Sequence, residues 1–210
     1  MQILNKIKEK GYLFIDDFFS KTVIDGLQKE INSLTLEAED WRSKPINYQK
    51  PNEVYQYHQR FYDFSGPKYP EATFISTYLK QLFRNELPEW FMNEIGYRRY
   101  ASPHDWISPH ADRLSDKILS VTITISGSAW VNIYDYIKNP VPLKPEEKTY
   151  KNIKKVDAHL TKSGTVMFLR APGLVENARR VIHEVMPPIS EKRDILNLRM
   201  RDTVLKQPMK

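Results

Sequence analysis

Two histidines, an aspartate and an arginine stand at spacings that suit metal-assisted oxidation: His110-Ala111-Asp112, then His183, then Arg193 ten residues further on. Two imidazoles and one carboxylate can hold Fe(II) on one face and leave the opposite coordination positions open, which an oxygen-activating iron site requires. The guanidinium after the second histidine is planar and can grip a carboxylate bidentately, so Arg193 is a candidate anchor for an acidic co-substrate. H-x-D by itself is a weak signal, and a lone histidine is more often a structural residue than a ligand. The other three histidines, His58, His104 and His159, take that structural reading. The combination of ligand types with a following arginine points to an enzyme rather than a passive metal site.

Strands must position these groups, because alternate residues of a strand share a face. By that parity His110 and Asp112 point together, as do Arg179, Val181 and His183. On the last strand Arg193, Ile195, Asn197 and Arg199 form one face, and Leu196, Leu198 and Met200 the other. A face carrying Arg, Asn and Arg is unusual for a core and fits a pocket for anions.

Along the chain, residues 1–9 read as a short helix broken by Gly11, followed by a strand over 12–15. Ser20 is placed to cap an amphipathic helix with Val23, Ile24, Leu27, Ile31 and Leu34 on one face. A second helix is expected over 73–84. The irregular stretch 40–70 carries many aromatics, among them Trp41, Tyr55 and Tyr57, which either cover a pocket or pack on the strands. From residue 91 the pattern turns to strands, over 92–100, 106–112, 117–126, 129–135, 156–160, 165–169, 179–185 and 193–200. Between the fourth and fifth of these, residues 136–155 are rich in Pro and Lys and read as a long hairpin insertion. The expected architecture is mainly β with supporting N-terminal helices (α+β), a jelly roll. It forms a single domain over 1–210, with helical support over about 1–90 and a strand core over about 91–202.

Composition narrows the chemistry further. With 210 residues, 40% hydrophobic and 28% charged, the chain is long enough for one real core. It has no cysteine, so disulfides and thiolate-bound metals are excluded, and a metal site must use His, Asp or Glu. That fits a reducing compartment, and a cytoplasmic protein is the expectation. No apolar run reaches membrane-spanning length, and the first residues lack the uninterrupted apolar core of a signal peptide. The formal charge of +6 makes nucleic acid a possible partner.

With these residues in place, the chain resembles the Fe(II)- and 2-oxoglutarate-dependent dioxygenases. The resemblance runs from YLFIDDFFSKTVIDGLQKEI through RYASPHDWISPHAD, LSVTITIS and GTVMFL to RRVIHEVMP and RDILNLR. It implies a cupin-like double-stranded β-helix that holds iron through His110, Asp112 and His183. It also implies that Arg193 binds the far carboxylate of 2-oxoglutarate, with Tyr100 contacting the same co-substrate. Oxidative decarboxylation with O2 would release succinate and CO2 and oxidise a substrate C–H bond. Because Asp112 fills the carboxylate position, no ligand site is left open for halide, and hydroxylation is favoured over halogenation.

Within that superfamily, the spacing of Arg193 and Arg199 is similar to the last-strand motif of the AlkB-type nucleic-acid demethylases. Arg179, four residues before His183, is a further shared feature. A nucleobase or alkylated nucleic acid is therefore the leading substrate expectation, with Arg199 beside the co-substrate and Arg179, Asn197, Trp130 and Arg113 as candidate substrate contacts. Trp130, Tyr55 and Tyr57 could stack a flipped base or simply pack. Ile195 and Asn197 depart from the AlkB pattern, as do Arg98 and the pair Arg113-Leu114. The spacings from Tyr100 to His110 and from His183 to Arg193 are equally at home among prolyl-hydroxylase-like enzymes. The alternatives are a hydroxylase of a peptide or small carboxylated molecule, and a jelly-roll module that binds metal or an oxo acid without turnover.

Overall fold

A computed structural model describes residues 2–34, 69–100, 105–112, 116–136 and 153–201, together with the backbone of 38–40 and 56–58. Arg113, the insertion beyond Tyr136 and most of the aromatic stretch over 40–68 lie outside the described residues.

The chain begins with α1 (Gln2–Lys10), which Gly11 ends at φ 90°, and β1 (Tyr12–Ile15) follows. Helix α2 (Lys21–Asn32) buries Ile24, Leu27 and Ile31 at helical spacing; Ser20 occupies its N-cap position without a side-chain cap. The short strands β2 (Ala38–Asp40) and β3 (Gln56–His58) pair with each other. Helix α3 (Pro70–Phe83) starts three residues before its expected onset at 73. Proline in a first turn forfeits no intrahelical hydrogen bond. The free N–H groups of Glu71 and Ala72 donate instead to the Glu30 carboxylate, at 2.9 and 3.3 Å. That cap comes from another helix, and local sequence does not announce it.

The remaining strands are β4 (Glu94–Tyr100), β5 (Ile107–Ala111), β6 (Asp116–Ser126), β7 (Ala129–Tyr136), β8 (Ile153–Thr161), β9 (Val166–Arg170), β10 (Ile182–Val185) and β11 (Arg193–Arg201). They form a five-stranded antiparallel sheet, β1-β9-β6-β11-β4, and a four-stranded one, β5-β10-β7-β8. This is the expected helix-supported jelly roll.

Strand parity divides the five-stranded sheet into two faces. Val121, Ile123, Ile125, Val166, Phe168, Leu196 and Leu198 pack with Leu27, Ile31, Ile75, Leu79 and Phe83 of the helices. The opposite face meets the smaller sheet through Tyr100, Met167, Leu169 and Ile195 against Ile107, Val131, Ile133 and Val185. Polar residues share this inner space, and the chemistry lies there. At one edge β1 and β8 join the sheets: Phe14 stacks on His159 with ring centroids 4.5 Å apart, and the Tyr12 hydroxyl donates to Asp157 at 2.8 Å.

Candidate active site

Strands β5 and β10 lie side by side with His110 directly opposite His183. Both rings enter the inner space, their centroids 4.2 Å apart, and Asp112 follows at the end of β5. One ligand atom from each of His110, Asp112 and His183 lies within 4.8 Å of the others. The donor set is two imidazoles and a carboxylate, and the buried Nδ1 of His183 has no hydrogen-bond partner. A buried polar atom left without a partner is costly, and two imidazoles converging with a carboxylate are a donor set that suits a divalent metal. These residues fit Fe(II).

Electrostatics favour the metal-binding forms of these groups. Burial disfavours the charged imidazolium of His183 and outweighs the pull of Asp112 and of the neighbouring Val181 backbone, so the ring's proton affinity is lowered. A neutral imidazole is the form that ligates. Burial opposes ionisation of Asp112, but the charges of Arg199, His183, His110 and Arg98 overcome it and hold its carboxyl well below the usual carboxylate range.

Arg199 does more than add charge. Its Nη2 donates to Asp112 Oδ1 at 3.2 Å, and its Nη1 lies 3.6 Å from Asp116 Oδ2. Arg201 donates through Nε to Asp116 at 2.8 Å and pairs with Glu94. Sequence parity aimed Arg199 at the co-substrate, whereas its guanidinium sits on two carboxylates, one of them a candidate ligand. Asp116 reaches this network through a bulge. Beside Arg199 and Met200 of β11 the register of β6 jumps from Ser120 to Lys117, and Ile118 adopts φ 62°, rare for a β-branched residue.

Arg193 lies at the start of β11, opposite Tyr100 of β4, and is 1% exposed. Its Nη2 donates to Thr124 Oγ1 at 3.1 Å, while Nε and Nη1 have no partner. The Tyr100 ring centroid is 5.7 Å from its central carbon. Burial pulls the guanidinium down to about 10, with the Tyr100 phenol acting in the opposite sense. An uncompensated buried cation costs several kcal/mol, and an incoming carboxylate relieves that cost. Gly127, at φ 70°, makes the arrangement possible: a Cβ there would lie 2.0 Å from Lys192 O and 2.9 Å from Arg193 Cα. The β6–β7 turn thus passes directly against the start of β11.

The remaining candidates scatter. Asn197 is buried in the inner space and accepts from Thr122 Oγ1 at 2.7 Å, with its Nδ2 unpartnered. Trp130 is 44% exposed, with Val131 and Ile133 on the opposite, inner face of β7, so strand alternation takes it away from the histidines. Arg179 is exposed, its guanidinium 5.5 Å from the Tyr136 ring. Parity misplaced it because β10 begins only at Ile182. Sequence reasoning also passed over Arg180, which donates to the Asp112 carbonyl at 3.0 Å, and Thr124 and Asp116. Arg98 shares the inner parity of Tyr100, and that signal was available before the fold was known.

No protein-family model matches the chain, and no curated protein does either. Among solved structures it is similar to a prolyl hydroxylase from Trichoplax adhaerens in complex with a hypoxia inducible factor oxygen degradation domain peptide fragment. The identity there is 14%, over 95% of this chain and 87% of that one, with a TM-score of 0.61. A prolyl-4-hydroxylase from Pseudomonas putida matches at 11% identity over 96% and 98% of the two chains, with a TM-score of 0.60. An oxidoreductase of the 2OG-Fe(II) oxygenase family from Burkholderia pseudomallei matches at 14% identity over 94% and 88%, also with a TM-score of 0.60. At such identities the likeness is one of architecture, and the chain has the jelly-roll fold of the 2OG-Fe(II) oxygenases.

Proposed function

We propose that the protein is a non-haem Fe(II)- and 2-oxoglutarate-dependent dioxygenase that hydroxylates a substrate C–H bond. The balance is R–H plus 2-oxoglutarate plus O2 giving R–OH, succinate and CO2. The reading rests on one juxtaposition: the His110, Asp112 and His183 cluster shares its inner space with a fully buried Arg193 whose Nε and Nη1 have no hydrogen-bond partner among the described residues. His110, Asp112 and His183 would hold Fe(II). Arg193 and Tyr100 would receive the far carboxylate of 2-oxoglutarate, and bound together the metal and oxo acid supply the oxidation of C–H by O2. Arg199 keeps Asp112 ionised and oriented. The walls of Ile107, Val131, Ile133, Val185 and Ile195 exclude water, which strengthens each charge interaction inside.

For the substrate, support runs toward a peptide side chain or a small carboxylated molecule. Two of the similar structures are prolyl hydroxylases, and one of these carries a peptide fragment. They lend nothing to a nucleic-acid substrate. The spacing of Arg193 and Arg199 that suggested one has another use here, with Arg199 on Asp112 and Asp116 and Arg193 left to receive the co-substrate's carboxylate.

Succinate release tests the reading. Fe(II) and 2-oxoglutarate together should give a weak visible charge-transfer band without oxygen and slow uncoupled succinate formation with it, both lost in His110→Ala. If neither signal is seen and the substitution changes nothing, the metal-binding module without turnover is the better description. Peptides and amino acids should stimulate turnover, and methylated oligonucleotides should not. Salt-sensitive oligonucleotide binding with stimulated turnover would reverse the substrate assignment.

A further inference from the structure

Beside Asp112 a small cleft opens to solvent, its enclosed space about 10 Å³, lined by Asp112, Leu169, Arg170, Pro172, Arg180 and Val181 among others. Two guanidinium groups therefore stand at the entrance to the candidate metal centre. Their partners are backbone carbonyls: Arg180 Nη1 donates to Asp112 O at 3.0 Å, and Arg170 donates to Lys8 O at 2.7 Å and to Arg179 O at 3.0 Å. Three other buried or half-buried arginines sit on carboxylates, Arg199 on Asp112 and Asp116, Arg201 on Asp116 and Glu94, and Arg99 on Asp194. Arg170 and Arg180 form no such ion pair among the described residues. A guanidinium has five donors, and carbonyls take only one of Arg180's and two of Arg170's.

The surrounding charges sharpen the contrast. Asp112, the one carboxylate lining the cleft, is turned to Arg199 through Oδ1 and belongs to the metal cluster. The carbonyl contacts brace both arginines, Arg180 through Nη1 alone and Arg170 through Nη1 and Nη2, and both side chains line the cleft. A braced, half-buried guanidinium without a counter-ion is a preorganised receptor for a planar anion.

We infer that the substrate carries a carboxylate that binds Arg180, with Arg170 beside it, in the cleft adjoining Asp112. This deepens the hydroxylase reading and rests on it. Arg193 anchors the co-substrate from within, and Arg180 selects the substrate from the mouth. A reacting C–H bond is then presented to the metal face from a carboxylate held on the Asp112 side. The same chemistry serves an acidic peptide side chain or a free carboxylic acid.

Saturation-transfer NMR with excess 2-oxoglutarate tests the site, since that co-substrate occupies Arg193. The probes are N-acetyl-L-aspartate with its neutral diamide, and acetyl-Gly-Pro-Asp-Gly-amide with its Asn counterpart. The acids should receive transfer and the amides little. Arg180→Gln should weaken the acid response about tenfold, the loss of one charge-assisted contact, and Arg170→Gln should weaken it less. Arg180→Lys should recover part of it, and unchanged melting temperatures would exclude misfolding as the cause. The stronger of the two acid probes names the source of the carboxylate. With Mn(II) added, the bound acid's resonances should broaden, placing it near His110, Asp112 and His183. Equal transfer to acid and amide, indifference to Arg180→Gln, or loss only in Arg193→Gln would overturn the site. Failure of the protein to hold Mn(II) would instead count against the metal reading, and the metal-free transfer arms would still report on the cleft.

Discussion

Arg193 and Arg199 lie six residues apart on one face of one strand and do different work. Among the described residues Arg193 has no carboxylate partner, and two of its guanidinium nitrogens are unpartnered, so its removal should cost the co-substrate and spare the metal. We expect Arg193→Ala to raise the 2-oxoglutarate concentration needed for half-maximal succinate release by about ten- to a hundredfold, the value of a charged contact of ~1.5–3 kcal/mol. Metal affinity, read by Mn(II) titration, should change little; equal loss of both would contradict the assignment. Arg199 is bonded to the carboxylate of Asp112, a candidate ligand. Arg199→Met should therefore weaken metal binding by about ten- to a hundredfold in the same titration, as removal of a ligand's supporting partner generally does. If the metal affinity of Arg199→Met matches that of the native protein, Asp112 does not need the tether.

At the scale of elements, the last strand is held to the helices by a buried carboxylate. Asp194 accepts from Arg99 Nε at 2.7 Å and from Gln28 of α2 at 3.2 Å, with Lys192 at 3.9 Å. Burial opposes its ionisation, yet Arg99 and Gln28 prevail and hold the carboxyl below its ordinary value of 3.8. A carboxyl more acidic in the folded than in the unfolded chain contributes stability above pH 3.8, and that contribution is lost as pH falls through the folded value. Asp194→Asn should cost about 2–4 kcal/mol at neutral pH in denaturant unfolding, less than a wholly buried pair because Arg99 is 24% exposed. Its stability should also decline less steeply on acidification below pH 4. A parallel acid profile for variant and native protein would refute this.

For the molecule as a whole, two sheets must keep a polar inner space at a fixed width. The β1–β8 edge does part of this, with Phe14 flat against His159 at an interplanar angle of 6° and Tyr12 bonded to Asp157. Burial and that bond push the Tyr12 phenol up to about 12, so it stays a donor at neutral pH. Phe14→Ala should lower stability by about 2–3 kcal/mol, somewhat less than a full core truncation because the ring is half-buried. The paired histidines lie on other strands, so metal affinity should be nearly unchanged. A large loss of affinity with little loss of stability would mean the edge tunes the site directly. The described residues contain no helix long and apolar enough to cross a membrane.

Periodicity alone determined the elements and their faces. Alternation separated Leu196 and Leu198 from Arg193, Asn197 and Arg199, and the H-x-D…H spacing marked the cluster, because side-chain direction in a strand is a local property. The helix onset at Pro70, the bulge at Ile118 and the late start of β10 depend on contacts across the chain, from Glu30, Pro172 and the pairing with β7. Parity therefore failed where a strand had not begun, at Arg179. Nor could parity foresee the register slip that brings Asp116, outside the expected strand, to Arg199 and Arg201. Which arginine meets a carboxylate and which is left facing an opening is decided by neighbours distant in sequence. Only the tertiary structure could separate Arg199, Arg193 and Arg180 into a tether on Asp112, a candidate co-substrate anchor and a candidate substrate receptor.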